Sequence, residues 1–276
     1  MSVSTQSRST VRFRSGAAGI HVDRIAVEAP LTLILDGEVV VTTMRTPGHD
    51  IEMACGWLIN ESDVFEPGDI ATVKEFPGRA DEAESVAKEL EEIDTVLVTL
   101  APGVQGPKPK SFMTTSACGV CSSDLLAAFA GPKASLASPD WIMDAHLCGA
   151  MMDEMRQHQK MFDKTGSLHA AAIFTQSGEF LHAREDVGRH NAVDKVVGKA
   201  YLDGIFPLTN HVLVVSGRIS YEIVHKALTA SVAAIVAVSG PTTLAVDLAR
   251  EHDLVLIGFT REGGFNIYSG AEKVAI

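Results

Sequence analysis

Short apolar runs separated by small-residue loops fill the second half of the chain, and this alternation constrains the fold more than any other feature. Three such runs, at 211–215, 234–238 and 254–259, are each followed by a loop rich in Gly and Ser or in Gly and charged residues. Helical patterns follow the first two loops. Uninterrupted apolar strands that alternate with helices are typical of a sheet covered on both faces. The sequence therefore predicts an α/β domain over residues 138–276.

The first half of the chain has a different pattern, with short strands around one helix. Asp36-Gly37 separates two apolar runs and has the composition of a two-residue hairpin turn. A Pro at a first-turn position predicts a helix over 47–60, and strands are expected at 70–76 and 95–100. We interpret residues 21–110 as a smaller, β-rich N-terminal subdomain.

Residues 1–20 and 111–137 are expected to belong to neither domain. The first segment contains several arginines among serines and threonines and no acidic residue, which indicates a flexible tail. The second follows a run rich in Pro and Gly and holds two cysteines three residues apart. We interpret residues 111–137 as a cysteine-bearing loop that leads into a helix.

Composition excludes several classes of function. The net charge of −12 makes a nucleic-acid partner improbable, so any phosphate binding must be local. Charged or polar residues interrupt every apolar run before it reaches membrane-spanning length, and no apolar signal-peptide core follows the start. Four cysteines in 276 residues do not make a disulfide framework. We expect a cytoplasmic protein whose paired cysteines are catalytic or metal-binding.

Cys118 and Cys121 are the pair in question, and they precede Ser122, Ser123 and Asp124, all good helix caps. Thiols at a helix start lie at its positive end, where the thiolate is favoured over the thiol. A structural half-site for zinc is the alternative interpretation. The other two cysteines, Cys55 and Cys148, lie in predicted helices and are expected to be buried and without a function.

A convergent anion site is the second hypothesis. Ligands of α/β sheets bind beyond the carboxyl ends of the strands, where three loops should meet: Ser216-Gly217-Arg218, Ser239-Gly240-Pro241 and the segment from Phe259 to Gly264. Small residues would allow backbone N–H groups to approach a phosphate, and Arg218 or Arg261 would supply positive charge. Without a Walker or dinucleotide fingerprint, ordinary tight turns remain equally compatible with these loops.

The charged segment Glu185-Asp186-Val187-Gly188-Arg189-His190-Asn191 lies between a predicted strand and a predicted helix. One interpretation is helix capping by Asp186 and a surface ion pair. The other is a polar pocket wall in which Arg189 and His190 donate to an anionic ligand. Composition alone does not separate the two.

A zinc deaminase would also combine a histidine with a Cys-x-x-Cys pair. That chemistry needs a Glu two residues after the His and the His before the cysteines. Here Ala171 follows His169 at that spacing, and the cysteines come first. Deaminase chemistry is therefore disfavoured. A zinc site with two Cys ligands and one His ligand stays open on ligand type, but no specific spacing supports it. Ser138-Pro139-Asp140 predicts a helix that continues to about Lys164, and its methionines (Met151, Met152, Met155 and Met161) are interpreted as core packing.

Several segments together resemble one family, the FdhD/NarQ formate dehydrogenase accessory sulfurtransferases. They are Val27–Leu31, Cys118–Cys121, Glu185–Lys195, Ser216–Glu222, Thr242–Val246, Gly258–Gly264 and Asn266–Ser269. The resemblance extends from about Ile25 to the C-terminus, and its motifs are specific in combination.

The resemblance implies a fold and a function. The fold would be a cytidine-deaminase-like layered sheet with helices on both faces, without zinc or any other intrinsic metal. The protein would be a cytoplasmic homodimer that takes sulfur from a cysteine desulfurase as a Cys118 persulfide. It would pass that sulfur to the molybdenum bis-guanine-dinucleotide cofactor of formate dehydrogenase.

The resemblance also implies roles for individual residues. Cys118 matches the persulfide carrier, and Cys121 is assigned more weakly as an assistant in sulfur release. The matching cofactor-contacting segment consists of Phe259, Thr260, Arg261, Glu262, Gly263 and Gly264. The alternative functions are a carrier or chaperone that binds the cofactor without covalent chemistry, and a zinc-dependent hydrolase.

Overall fold

The computed structural model describes residues 4–77, 93–107 and 131–276. The strands of this part are β1 (Thr5–Arg14), β2 (Ala17–Ala26), β3 (Ala29–Leu35), β4 (Glu38–Arg45), β5 (Ile70–Phe76), β6 (Asp94–Leu100), β7 (Met143–Asp144), β8 (His169–Phe174), β9 (Phe180–Asp186), β10 (Val212–Val215), β11 (Ala234–Ala237), β12 (Val255–Arg261), β13 (Gly264–Ser269) and β14 (Val274–Ala275). The helices are α1 (Asp50–Glu61), α2 (Leu147–Gln157), α3 (Lys160–Thr165), α4 (Arg189–Leu202), α5 (Tyr221–Thr229) and α6 (Thr243–Glu251). A short 3-10 helix, Ala271–Lys273, precedes β14.

A six-stranded mixed sheet forms the centre of the second half, in the order β13-β12-β11-β10-β8-β9. The three middle strands β10, β11 and β12 run parallel, and β8, β9 and β13 extend the sheet by antiparallel pairing. Strands β10 and β11 are uniformly apolar and buried, as are the first four residues of β12, because both faces of the sheet are covered. The strand and helix alternation predicted for residues 211–259 is confirmed.

Helices cover both faces of this sheet. On one face, side chains such as Leu213 and Ile235 join a core with α4, α5 and α6. On the other face, Val214 and Val236 pack against Trp141 and the methionine-bearing side of α2. The predicted arrangement of helices on both faces is therefore observed, while the deaminase-like layering stays a prediction.

The first half contributes a four-stranded sheet, β4-β3-β6-β5, and the helix α1. Its core is continuous with that of the large sheet because α1 packs directly on α4. A Cβ added at Gly56 would lie 1.9 Å from the backbone oxygen of Asp194, and one at Gly198 would lie 1.8 Å from that of Glu52. The two helices therefore touch through their backbones. The Asp36-Gly37 hairpin between β3 and β4 is confirmed, and the proposed domain boundaries stay a prediction.

The N-terminal segment differs from the expected tail. Residues Thr5 to Ala26 form a two-stranded antiparallel ribbon, β1 and β2, joined by a turn at Ser15 and Gly16. Alternation of Val11 and Phe13 with arginines is a strand pattern. The abundance of Arg, Ser and Thr concealed this alternation, so the tail assignment was wrong for the described part of residues 1–20.

The single helix predicted from Ser138 to about Lys164 is also wrong. Residues 143–144 form the strand β7, which pairs with β14, and the helical part is split into α2 and α3. Trp141 is buried and its Nε1 donates to the backbone oxygen of Asn210 at 3.2 Å. Tertiary contacts therefore hold the predicted first turn in a non-helical conformation. Core packing is confirmed for the methionines of α2, which are buried (Met151, Met152 and Met155).

Cys118, Cys121, the helix predicted after them and most of the acidic run at 81–94 lie outside the described residues. Within the described part, no helix combines the length and apolar character needed to span a bilayer.

Candidate functional site

Three backbone segments meet at the carboxyl edge of the parallel strands. The loop after β10 is tied to the loop after β11, since Ile219 N donates to Gly240 O at 3.2 Å and Thr242 N donates to Ile219 O at 3.0 Å. The end of β12 joins them through Phe259 N, which donates to Ser239 O at 3.3 Å. We call these segments, residues 216–218, 239–241 and 259–264, the loop cluster. Their predicted convergence is observed, and their binding role stays a prediction.

The third segment of the loop cluster is a hairpin tip rather than a strand-to-helix loop. Strand β12 continues to Arg261, and β13 returns from Gly264 after a turn at Glu262 and Gly263. The pairing shifts register between Gly258 and Arg261. Such bulges re-aim side chains and are frequent beside functional sites. Arg261, Glu262, Gly263 and Gly264 are all exposed at this tip.

Phe259 has an unusual backbone conformation and a specific contact. Its φ of 57° lies in the left-handed region, which a bulky side chain adopts only at a cost of about 1–3 kcal/mol. The ring is 47% exposed, and a Cβ added at Gly240 would lie 2.6 Å from it. The neighbouring Thr260 hydroxyl is buried and has no hydrogen-bond partner among the described residues. Gly240 therefore makes room for an aromatic ring with an open face.

The loop after β10 lies against the start of β8. Ala170 N donates to the Ser216 hydroxyl at 2.8 Å, which fixes the loop to that strand. A Cβ added at Gly217 would lie 3.3 Å from His169 Nδ1 and 3.5 Å from Arg189 Cδ. The structure thus brings His169 and Arg189 beside the loop that carries Arg218.

The charge around His169 favours an anionic ligand. Burial lowers the pKa of His169, and the positive charges of Arg189, His190 and Arg218 lower it further. Asp186 acts in the opposite direction, as the smallest of these effects. A nearby anion would offset the repulsion among these cations. Arg189, His190 and Arg218 therefore form a cationic group around His169, beside the loop cluster.

His190 is held by an acidic partner. Its Nε2 lies 2.6 Å from Glu222 Oε2, and the same nitrogen lies 3.3 Å from the Ser220 hydroxyl. Burial would raise the pKa of Glu222, but the hydrogen bond and charge of His190 outweigh it and lower the pKa. A Ser-His-acid hydrolase relay uses the two ring nitrogens for different partners. Both contacts here involve one nitrogen, so the arrangement orients His190 and does not activate Ser220 as a nucleophile.

The charged segment Glu185–Asn191 runs from the end of β9 into α4. The sequence left a structural and a ligand-binding interpretation open, and different residues of the segment fit each of them. Asp186 accepts hydrogen bonds from Thr46 N, Gly188 N, Asn191 Nδ2 and Lys195 Nζ, the last at 2.7 Å. Glu185 accepts from the backbone of Met161 and Phe162 at the start of α3.

Asp194 accepts from Asn60 and Lys226, so Asp194 also serves the packing of α4. We call the group formed by Asp186, Asn191, Asp194, Lys195, Thr46, Asn60 and Lys226 the buried seam. Arg189 and His190 are the members of the charged segment that border the loop cluster.

Two of the four cysteines can be excluded as nucleophiles. Cys55 and Cys148 are free and buried, as expected. Burial raises the pKa of Cys55 to about 12 and that of Cys148 to about 11. Neither forms appreciable thiolate at neutral pH, and thiolate is the reactive species.

Sequence reasoning missed Glu222 and considered His169 only as a zinc ligand. Glu222 lies in the first turn of the helix that follows Ser216–Arg218, and this proximity was a signal that could have identified it. His169 is brought to the loop by antiparallel pairing of β8 with β10, which no local pattern reveals. Among the described residues, no group of three His, Cys, Asp or Glu side chains could hold a metal ion.

Comparison with known proteins gives consistent results at the levels of sequence and fold. A sequence model of the FdhD/NarQ family matches residues 26–275. The "Sulfur carrier protein FdhD" of Streptomyces coelicolor is 40% identical over 279 residues, covering 99% of this chain and 96% of that protein. The protein of the same name from Mycobacterium tuberculosis is 41% identical over 256 residues, covering 91% and 92%.

The fold has a counterpart among solved structures. A crystal structure described as that of a formate dehydrogenase accessory protein from Desulfotalea psychrophila superposes with a TM-score of 0.77 at 20% identity. The match covers 99% of this chain and 100% of the other. Since the family model spans nearly the whole chain and the curated relatives align from end to end, the chain belongs to the FdhD/NarQ family.

Proposed function

We propose that this protein is a cytoplasmic sulfur carrier that serves formate dehydrogenase. The observation that carries the proposal is the alignment of relatives named sulfur carrier proteins over 99% of this chain. In this proposal, Cys118 receives sulfur from a cysteine desulfurase and delivers it to the molybdenum bis-guanine-dinucleotide cofactor, which is the substrate. The high thiol pKa values of Cys55 and Cys148 support Cys118 and Cys121 as the reactive pair.

The chemistry begins with thiolate attack on a donor persulfide. The Cys118 thiolate attacks the outer sulfur of the desulfurase persulfide, so that a Cys118 S–S bond forms and the desulfurase thiolate leaves. In the release step the Cys121 thiolate attacks Cys118 Sγ and breaks that S–S bond. The outer sulfur leaves as sulfide to the acceptor with the electron pair of the broken bond. The two thiols are oxidised to a disulfide, which a cellular dithiol then reduces.

The loop cluster supplies a site for the anionic acceptor. Diphosphate groups prefer Arg side chains, protonated His and free backbone N–H groups. The cationic group beside Ser216–Arg218 has this chemistry although the protein as a whole is acidic. The exposed ring of Phe259 offers an apolar face of the kind on which a purine base stacks. We assign the diphosphate to Arg189 and Arg218, and the base to Phe259.

Replacement of Cys118 tests the covalent step. Full-length Cys118→Ala is expected to abolish formate dehydrogenase maturation and to leave the urea midpoint of unfolding unchanged. Intact-mass analysis after incubation with a cysteine desulfurase and cysteine should show a gain of one sulfur in the parent protein and none in the variant. Cys148→Ala is the matched control, since it removes a buried thiol and should keep the sulfur gain. Normal maturation by Cys118→Ala would contradict the proposal.

The cationic group also favours the second candidate function, a carrier that binds the cofactor without covalent chemistry. Under that function, Cys118→Ala would retain activity and Arg218→Gln would lose it. Under sulfur transfer, Arg218→Gln should still gain one sulfur from the desulfurase and should fail in delivery. The two variants therefore separate the two functions.

A further inference from the structure

His190 and Glu222 form a largely buried pair at the border of the loop cluster. His190 Nε2 lies 2.6 Å from Glu222 Oε2, and the two side chains are 7% and 15% exposed. Each is the second residue of its helix, His190 in α4 and Glu222 in α5, so the pair joins two helix starts. A hydrogen bond this short is typical of charged partners. Burial would raise the pKa of Glu222, but His190 outweighs it and lowers the pKa.

The contact with Glu222 determines which ring nitrogen is left for a ligand. The hydrogen bonds that the His190 ring makes to described residues, to Glu222 and to the Ser220 hydroxyl, all use Nε2. A carboxylate only accepts hydrogen bonds, so the proton on Nε2 is directed to Glu222. Nδ1 then donates to a ligand only when the ring is protonated, because neutral imidazole carries a single proton. An adjacent carboxylate favours that charged form.

Glu222 has no competitor for this role among the described residues. Asp194, on the same helix as His190, interacts with it electrostatically but does not contact its ring. Two nearby carboxylates are each bound by a lysine within 2.7 Å: Asp194 of α4 by Lys226, and Asp186 of β9 by Lys195. In the described part of the chain, the carboxylate in salt-bridge contact with the ring is therefore that of Glu222 alone.

His169 shows what the same surroundings do to a ring without such a partner. It lies in β8 and has no salt bridge to a carboxylate within the described part of the chain. Burial lowers its pKa, and the charges of Arg189, His190 and Arg218 lower it further. The cations that act on His169 also disfavour a charge on its neighbour His190. The one local difference that favours a charged His190 is the contact with Glu222.

We propose that Glu222 is a positioning residue for the anionic acceptor: it holds the His190 ring protonated and oriented, so that Nδ1–H donates to the diphosphate beside Arg189 and Arg218. This inference rests on the proposed binding of that acceptor at the loop cluster. It gives Glu222 an effect opposite to that of its own charge. A carboxylate close to a bound anion repels it, so on charge alone Glu222→Gln should strengthen binding. Through His190, the substitution should weaken binding at any pH where the unassisted ring is neutral.

Calorimetry with guanosine diphosphate on the full-length chain, between about pH 5.5 and 8.5, separates these two signs. Glu222→Gln replaces the carboxylate with a neutral amide of nearly the same shape. Dividing the dissociation constant of the variant by that of the parent at each pH cancels the titration of the probe's own phosphates. We expect a ratio of about 1 or less at about pH 5.5 and of at least about 10 at about pH 8. The rise should occur around pH 6.5, where an ordinary histidine loses its proton.

Glu272→Gln is the matched control. It removes one exposed carboxylate after β13, at the end of the sheet opposite the hairpin tip, and its ratio should stay near 1 at every pH. A ratio for Glu222→Gln that stays at or below 1 would overturn the inference, since the carboxylate would then act by its own charge. A raised ratio that does not change with pH would also overturn it, because it would indicate a structural role.

Ring nitrogen resonances of the unaltered chain test the same point without dependence on how the variant folds. The His190 signals are assigned as those lost in His190→Asn. With guanosine diphosphate bound at about pH 7.5, both ring nitrogens of His190 should be protonated. A neutral His190 ring in that complex would overturn the inference.

The sulfur carrier function is judged by a separate measurement. The parent and Glu222→Gln should both gain one sulfur from the desulfurase, because the persulfide step does not use His190. If neither gains sulfur while the ratio rises with pH as expected, the proposed function fails and the role of Glu222 stands. If the parent gains sulfur but binds guanosine diphosphate at no pH, the role of Glu222 fails and sulfur transfer stands.

Discussion

The buried seam and the cationic group beside the loop cluster both contain charged side chains of the same short segment, yet they differ in pairing and exposure. In the seam, Lys195 and Asp186 are 1% and 0% exposed in their side chains, and they satisfy one another at 2.7 Å. Beside the loop cluster, several cations surround a histidine whose pKa is lowered, and Arg218 is exposed. Buried side chains that neutralise one another have a structural role. A group of like charges at the exposed edge of a sheet is suited to bind a ligand of opposite charge.

The seam also explains why the two halves of the chain share one core. Thr46 precedes α1 and Asp186 ends β9, and the hydrogen bond between them joins residues 140 positions apart. Arg184 of β9 makes a two-pronged contact with Glu52 of α1. Burial would raise the pKa of Glu52, but Arg184 and His49 outweigh it and lower the pKa to about 2. The hydrogen bonds of Asp186 and Arg184 thus hold the N-terminal half in place.

The largest expected effect on stability comes from a substitution that breaks the buried seam. Lys195→Met removes the charge with little change in side-chain volume and leaves the Asp186 carboxylate buried without its cation. We expect a loss of about 3–5 kcal/mol in the free energy of unfolding, measured by urea denaturation.

Lys199→Met is the control, since Lys199 pairs with Asp203 at the surface and should cost at most about 0.5 kcal/mol. Asp186→Asn combined with Lys195→Met should recover part of the loss. Equal losses in the free energy of unfolding for Lys195→Met and Lys199→Met would contradict the prediction that the buried pair matters more than the surface pair.

A smaller effect is expected at the loop cluster, and on binding rather than on stability. Gly240→Ala places a methyl group where the Phe259 ring now lies, so the ring must move. We expect guanosine diphosphate, used as a probe of the proposed acceptor site, to bind about tenfold more weakly by calorimetry, or about 1.4 kcal/mol. Gly149→Ala, in α2 and outside the loop cluster, adds a methyl group with nothing within 4 Å and should leave binding unchanged. If Gly240→Ala bound guanosine diphosphate with unaltered affinity, Phe259 would not be part of the binding surface.

The smallest effect is a pH dependence that belongs to His169. Its pKa is lowered in the folded protein, so the unfolded chain takes up a proton first as the pH falls, and this group's contribution to stability is lost below about pH 6.5. A bound dianion favours the protonated ring and should raise the pKa of His169.

Histidine proton resonances titrated with and without sulfate, which does not itself titrate in this range, would measure the shift. His182 supplies an internal control, because burial lowers its pKa but its ring hydrogen-bonds Val196 O away from the loops. A sulfate-induced shift of equal size at His182 would show a general salt effect and not a site.

The sequence predicted the parallel strands, their loops and the helices that follow, because uninterrupted apolar runs and small-residue loops are local signals. It failed at residues 5–26, where strand alternation was concealed by arginines and serines, and at 138–146, where Trp141 and the pairing of β7 with β14 override a good helix start. It also assigned Phe259 to Gly264 to a loop, since nothing local marks the bulge that keeps Thr260 and Arg261 in β12.

Local chemistry in the sequence was enough to single out the Cys118–Cys121 pair, the three segments of the loop cluster and the charged segment Glu185–Asn191. Only the tertiary structure separated that segment into Asp186, which is buried against Thr46 and Lys195, and Arg189 and His190, which border Ser216–Arg218. The physical reason is that a charged side chain has a structural or a binding role according to what surrounds it. For Asp186 and Lys195 the surroundings come from elements more than a hundred positions away in the chain.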